Sequence, residues 1–369
     1  MLELADIVRA AGEVYQRLHA STLLPSQRRA LRDIVACRTA VLGGHVRACD
    51  HCGTRQYSYH SCRNRHCPKC HREQTERWLD RQRARLLPCA YFLLTFTLPA
   101  ELRALAWAHQ KVVYGLLMTA AAAALLKLTA DPRYLGARPG MLAVLHTWTR
   151  ALLYHPHVHM LVTAGGLRGT DQLWVPSKRV AFLVPGRALS RLFRAKVRAG
   201  LRKAGLLDQV PLAVWRHEWV VHVKHAGTGE KVLDYLARYV FRIALVNSRL
   251  ERFEDGQVTF RYRDGRTGTI ERCTLDAVAF LGRFLQHVLP RGFAKVRHYG
   301  LFSPARHDLL AQAREQLLAA SDAPAPPVRA PIDPAPGLAP EISPRLRCPA
   351  CGIGVLHLVE TLLPCERSP

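Results

Sequence analysis

The stretch YHPHVHMLVTAGGL, Tyr154–Leu167, decides how this chain is read. His157 and His159 flank Val158 inside an apolar run with the pattern of a strand. Alternate residues of a strand face one way, so both imidazoles project from the same side, about 6.6 Å apart along it. Two imidazoles so spaced can converge on one divalent cation while Val158 packs into the core behind them. A metal there needs a nucleophile. Lys231 to Arg242, KVLDYLARYVFR, reads as a helix carrying Tyr235 and Tyr239. Four residues apart, these phenols share one helical face, about 6 Å from each other along the axis.

The rest of the chain has to accommodate that constellation. Its 369 residues are long for one domain, and a hydrophobic fraction of 49% is that of a globular protein. The charge is unusual: 53 Lys and Arg against 28 Asp and Glu, a formal net of +25. A polyanion is the expected partner. The cations spread over Arg63 to Arg85, Arg187 to Lys203 and Arg238 to Arg306, so they belong to folded parts rather than to one tail. No apolar run reaches the roughly 18 uninterrupted residues of a membrane span. The closest, Val112 to Leu128, carries Lys127 and reads as a buried helix. The opening MLELADIVRAAGEVYQRL has no signal-peptide pattern, and the 11 cysteines cluster in CxxC pairs. Both features predict a reducing, cytoplasmic setting and metal binding rather than disulfides.

Cys49, Cys52, Cys67 and Cys70 form two such pairs within RACDHCGTRQYSYHSCRNRHCPKC. A CxxC turn brings two thiolates to a tetrahedral Zn²⁺ and a second turn closes the site, predicting one structural Cys₄ zinc that contributes about 10 to 16 kcal/mol. Cys62, His45, His51, His60 and His66 are further ligand candidates nearby, whereas Cys37, Cys89 and Cys273 lack a CxxC partner and read as packed thiols. Arg63, Arg65, Lys69 and Arg72 around the knuckles, and Arg238 on the tyrosine helix, are read as phosphate contacts in this cationic chain.

In order, residues 1–36 read as two amphipathic helices, and CAYFLLTFTLP from Cys89 as a core strand stopped by Pro99. A long helix follows over Glu101 to Thr129. Met141 to Arg150 and His157 to Thr163 then make an antiparallel hairpin. Pro185 to Ala204 reads as a basic helix, Glu218 to Lys224 as a strand, Thr259 to Tyr262 with Thr269 to Cys273 as a hairpin, and Leu275 to Leu289 as a closing helix. Hairpins among helices predict an α+β fold, an antiparallel sheet with helices packed on it, plus a small zinc-knuckle domain. The expected domains are residues 1–88, helices and zinc; 89–310, the catalytic domain; and 311–345, a linker rich in Pro and Ala. Residues 346–369 are expected as a terminal knuckle built on Cys348, Cys351, His357 and Cys365.

Taken together, the pieces fit one reaction. A metal held by His157 and His159 would polarise a scissile phosphate, and a tyrosine would attack it and keep the bond energy as a phosphotyrosine, so that strands are rejoined without ATP. Two other readings compete. In one, a non-catalytic zinc protein binds DNA or RNA, with Tyr235 and Tyr239 stacking on bases; in the other, a metal hydrolase uses water as nucleophile. The segments LGGHVRACDHCG, SCRNRHCPKC, TFTLP, HPHVH with GGL, and YLARY resemble those of the rolling-circle insertion-sequence transposases of the ninety-one family. These are two-tyrosine members of the His-hydrophobic-His (HUH) endonuclease superfamily. The resemblance spans most of residues 30 to 305. It implies a Rep- and relaxase-like antiparallel sheet, single-stranded DNA ends as substrate, Mg²⁺ or Mn²⁺ as catalytic cofactor beside structural Zn²⁺, and a 5′-phosphotyrosine intermediate. It further implies that His157 and His159 are metal ligands and that Tyr235 and Tyr239 are nucleophiles. Asp234 and His155 are the candidates for the third ligand that this superfamily carries. DNA binding would associate the protein with the nucleoid.

Overall fold

The computed structural model describes residues 2–70, 78–79, 82, 85–228, 244–265, 267–320 and 346–365. The chain divides into two units, Met1–Arg72 with Pro324–Pro369, and Glu73–Ala323.

In the first unit, apolar residues recurring at helical spacing give α1 (Leu4–Leu18) and α2 (Pro25–Ala36). Leu4, Ile7, Val8 and Ala11 are buried on one helix, Ala30, Leu31 and Ile34 on the other. Pro25 opens α2, where a missing N–H costs nothing. After them come β1 (Gly44–Cys49), β2 (Arg55–Tyr59) and, from the far end of the chain, β12 (Leu356–Leu362). These make one antiparallel sheet in the order β12-β1-β2. The expectation of a separate terminal knuckle over 346–369 is therefore corrected. Its strand is hydrogen-bonded along β1, with Gly44 opposite Leu362 and Cys49 opposite Leu356.

The second unit contains, in chain order, β3 (Ala90–Thr97), α3 (Arg103–Ala108), α4 (Gln110–Thr129), β4 (Arg138–Trp148), β5 (Tyr154–Leu167), β6 (Trp174–Pro176), α5 (Gly186–Lys203) and β7 (Val221–Thr228). There follow β8 (Leu250–Glu254), β9 (Gln257–Arg263), β10 (Ile270–Asp276), α6 (Ala277–Leu285), β11 (Val296–Gly300) and α7 (His307–Ala319). The main sheet runs β11-β4-β5-β3-β7, every pair antiparallel, with β6 added along β5. This is the α+β architecture expected from the hairpins. The helix expected over 101–129 is interrupted at His109, whose φ of −121° and ψ of 46° leave the helical region and separate α3 from α4. Asp276 caps α6 by accepting from the N–H groups of Val278 and Ala279.

The two faces of the main sheet have different fates. Phe92, Leu94, Phe96, Leu145, Val158, Met160 and Val162 point to the side covered by α4 and α5, where they join Tyr114, Leu117, Leu125, Phe193 and Val197 in the principal core. Each such fully buried Leu or Phe contributes about 1.5–3 kcal/mol. Helix α4 is long and apolar enough to cross a membrane by length and composition, but 61% of its most apolar window is buried within the protein. Ala120, Ala121, Ala122 and Ala124 of its Ala-rich run are buried in the same core. The opposite face carries a smaller core of Tyr91, Leu142, Val144 and Leu161 against Leu301 and Phe302, which follow β11, and Ala313 of α7. By the two-residue period of β4 and β5, His146, His157 and His159 lie on this second face.

The GGL that ends β5 is explained by its neighbours. A Cβ on Gly165 would lie 2.5 Å from the Trp174 ring, and one on Gly166 would lie 2.3 Å from the Arg138 carbonyl oxygen. Only glycine lets β6 and β4 approach β5 so closely.

Candidate metal centre

Register across the β4–β5 hairpin places His146 opposite His157 and Val144 opposite His159. On the other side of β5, Thr95 and Thr97 of β3 face His159 and His157. The ligand-capable nitrogens of His146, His157 and His159 all lie within 4.8 Å of one another. The Nε2 atoms of His157 and His159 are 3.1 Å apart, and the His146 ring centroid is 5.4 and 4.8 Å from those of His157 and His159.

Neighbouring groups select the tautomers. His157 Nδ1 lies 2.7 Å from the His155 carbonyl, to which it can only donate, so Nε2 carries the lone pair. Thr95 Oγ1 lies 3.2 Å from His159 Nδ1, in position to accept its proton and direct that Nε2 lone pair into the same space. Burial pushes His157 down to about 4 and His159 to about 3. Both rings are therefore neutral at pH 7, the form in which imidazole binds a metal. Three convergent imidazoles suit a divalent first-row cation.

His155, one of the residues expected as a third ligand, is engaged elsewhere. Arg103 Nη2 donates to its Nδ1 over 2.8 Å, and burial together with that guanidinium holds it below the usual histidine range. The residue that joins the pair is His146, which is buried on β4. Its signal was present in MLAVLHTWTR, and counting the hairpin register back from His157 reaches it. The three histidines line a cavity of about 180 Å³ with His155, Trp148, Arg150 and Arg249. Trp148 stacks on the His146 ring at 4.7 Å, and Lys295 Nζ sits 5.0 Å over the Trp148 ring. Arg249 is held by donating to the carbonyls of Arg261 and Ala244. Cations around a metal pocket suit a phosphate. Neither Arg150 nor Arg249 stands in a motif that marks it in the sequence.

Tyr235, Tyr239, Asp234, Arg238 and Arg72 lie outside the described residues. Of the other expected phosphate contacts, Arg63 is exposed, Arg65 is half-buried, and Lys69 Nζ is paired with Glu3 at 2.6 Å.

The cysteines group differently from the expected single site, which is a correction. Cys67 and Cys70 come together with Cys37 and Cys62, whereas Cys49 and Cys52 come together with Cys348 and Cys351. In the first group Cys62 and Cys70 sulfurs are 3.4 Å apart, and Cys37 donates to Cys70 at 3.7 Å. Cys37, expected as a packed thiol, is brought in because it caps the C-terminus of α2. His357, expected as a ligand, instead meets Asp50 Oδ2 at 3.2 Å, and Cys365 meets the Ala40 carbonyl at 3.9 Å.

A family model described as "Putative transposase" matches residues 140–308, and one described as "Transposase zinc-binding domain" matches residues 7–98. The chain is 44% identical over 338 residues to the putative transposase y4qJ of Sinorhizobium fredii, covering 85% of this chain and 84% of that protein. It is 30% identical over 286 residues to the transposase for insertion sequence element IS801 of Pseudomonas savastanoi pv. phaseolicola, covering 73% and 68%. No solved structure matches the chain.

Proposed function

Because the chain belongs to the IS91 family of transposases, enzymes that act on DNA, and carries that family's N-terminal zinc-binding domain, we propose that it nicks and rejoins single-stranded DNA at insertion-sequence ends through a 5′-phosphotyrosine. The convergence of His146, His157 and His159 on one sheet face carries this reading. These three imidazoles would hold Mg²⁺ or Mn²⁺, which when bound supplies charge stabilisation at a phosphate oxygen. Arg150 and Arg249 orient the same phosphate from the cavity wall. Tyr235 or Tyr239 attacks phosphorus. A tyrosine O–P bond forms, the bond to the 3′-oxygen breaks, and the phenolic proton is passed on to the departing 3′-hydroxyl. The phosphodiester energy is conserved, so a 3′-hydroxyl of another strand reverses the step without ATP. A structural zinc in the group of Cys37, Cys62, Cys67 and Cys70 organises the N-terminal domain, and the net charge of +25 draws the polyanion.

The test is a denaturing gel of the protein incubated with labelled single-stranded DNA from the element's ends, with Mn²⁺ or with EDTA. Wild type is expected to give a metal-dependent band that survives denaturation and is absent from the Tyr235→Phe/Tyr239→Phe double variant. Cleavage that persists in that variant without an adduct would identify water as the nucleophile. DNA binding with neither cleavage nor adduct would identify a non-catalytic zinc protein.

A further inference from the structure

Cys348 and Cys351 lie 250 residues and more beyond the matched zinc-binding region, which ends at residue 98. Their sulfurs nevertheless meet those of the first knuckle: Cys52 to Cys348 at 3.7 Å and Cys49 to Cys351 at 3.7 Å. Four thiolates around Zn²⁺ with bonds of about 2.3 Å stand about 3.8 Å apart along the edges of the tetrahedron. A disulfide would require about 2.05 Å. The spacing is that of an ion's coordination shell and is too long for an S–S bond.

The two turns that present these thiols share one construction. CDHCG and CPACG are both C-x-x-C-G. Gly53 donates to the Cys49 carbonyl at 3.1 Å and Gly352 to the Cys348 carbonyl at 2.9 Å. The two glycines have φ of +67° and +68°, which only glycine adopts freely. Each turn also aims a backbone N–H at its own sulfur, Cys52 N to Cys49 Sγ at 3.5 Å and Gly354 N to Cys351 Sγ at 3.4 Å. A Cβ on Gly354 would lie 2.4 Å from Cys49 Sγ, so the second turn closes on the first without room for a side chain. Asp50 fastens the pair by accepting from Val355 N at 2.8 Å. Among the described residues the apolar core here is Cys49, Cys348 and Leu356, with Cys351 packed against them, too little to hold two turns together by burial.

We propose that Cys49, Cys52, Cys348 and Cys351 bind a second structural zinc ion, which clasps the segment after the linker onto the end of β1. The protein then holds two zinc ions. Native mass spectrometry of the full-length protein tests this. Wild type is expected to carry two zinc ions, and Cys348→Ser/Cys351→Ser one. Cys62→Ser/Cys70→Ser should also carry one, lost from the other group. One ion in wild type overturns the proposal, as does a wild-type mass lower by four hydrogens, the mark of two disulfides. Thiol alkylation of unaltered wild type reads the same site without a variant. Cys348 and Cys351 should resist iodoacetamide until a chelator removes the second equivalent of zinc, and rapid alkylation with both equivalents retained also overturns the proposal. The outcome is independent of whether the tyrosines form an adduct.

Discussion

Thr95→Val separates a positioned metal site from three histidines that merely face one cavity. Thr95 Oγ1 is 3.2 Å from His159 Nδ1 and sits directly across from it on β3. Valine keeps the shape and strand preference of threonine and removes only the hydroxyl. Loss of the hydrogen bond that orients a ligating imidazole weakens metal binding about 10- to 100-fold, or about 1.4–2.7 kcal/mol. Thr97 is the internal control. It occupies the equivalent position opposite His157, but His157 takes its orienting bond from the His155 carbonyl on its own strand. Titration calorimetry of Mn²⁺ into zinc-loaded protein should therefore show weaker binding in Thr95→Val, nearly unchanged binding in Thr97→Val, and a larger loss than either in His146→Ala. Equal affinities for Thr95→Val and wild type would refute the tautomer assignment, and wild-type affinity in His146→Ala would remove that residue from the site.

Other outcomes follow from burial, backbone contact and charge. His287 is fully buried between Thr147 and the Leu152 carbonyl, and burial pushes it down to about 4. The unfolded chain, with an ordinary histidine near 6.5, binds a proton between those values that the fold does not, so this stability is complete above about pH 6.5 and falls as pH drops toward 4, by about 3 kcal/mol. Urea unfolding at neutral pH and near pH 4.5 should show a smaller difference for His287→Gln than for wild type; an equal difference would count against the assignment. Gly166→Ala places a Cβ 2.3 Å from a backbone oxygen that cannot move without opening the β4–β5 pairing. A cost of about 2–4 kcal/mol, lowering Tm by roughly 4–16 °C, is expected by thermal denaturation. Helix α5 exposes Arg187, Arg191 and Arg202 and carries no acidic residue. If this face lies on single-stranded DNA, changing all three to Gln should lower the log–log salt slope of binding by about 2, at about 0.7 per phosphate. An unchanged slope would place the contact elsewhere.

What the sequence discloses here depends on how local the determining contact is. The strand period alone puts His157 and His159 on one face, and a run of alanines with one lysine marks the buried α4. Hairpins 141–163 and 257–276 were legible because each turn lies between its own strands. His146 was harder, because its place depends on a pairing register that shifts between His146 and Trp148. The partners of Cys49 and Cys52 were out of reach. Cys67-x-x-Cys70 is the nearer pair by sequence, but those thiols are claimed by Cys37 at the end of α2 and by Cys62, a grouping that only tertiary structure specifies. Phosphate-binding roles were likewise read from crowding of charge, and crowding does not reveal that Lys69 is committed to Glu3.

The clasp at Cys49 and Cys348 also sets an order on biosynthesis. Cys52 and Cys348 are separated by 296 positions, and everything in the Glu73–Ala323 unit is translated between them. At about 5–20 residues per second the ribosome needs roughly 15–60 s to cover that distance. Through that interval the CDHCG turn supplies only half of the four thiols of its site, while the sheet that carries the histidines has time to fold. A ribosome-bound chain stalled before residue 348 should therefore leave Cys49 and Cys52 open to alkylation and Cys62 and Cys70 already protected.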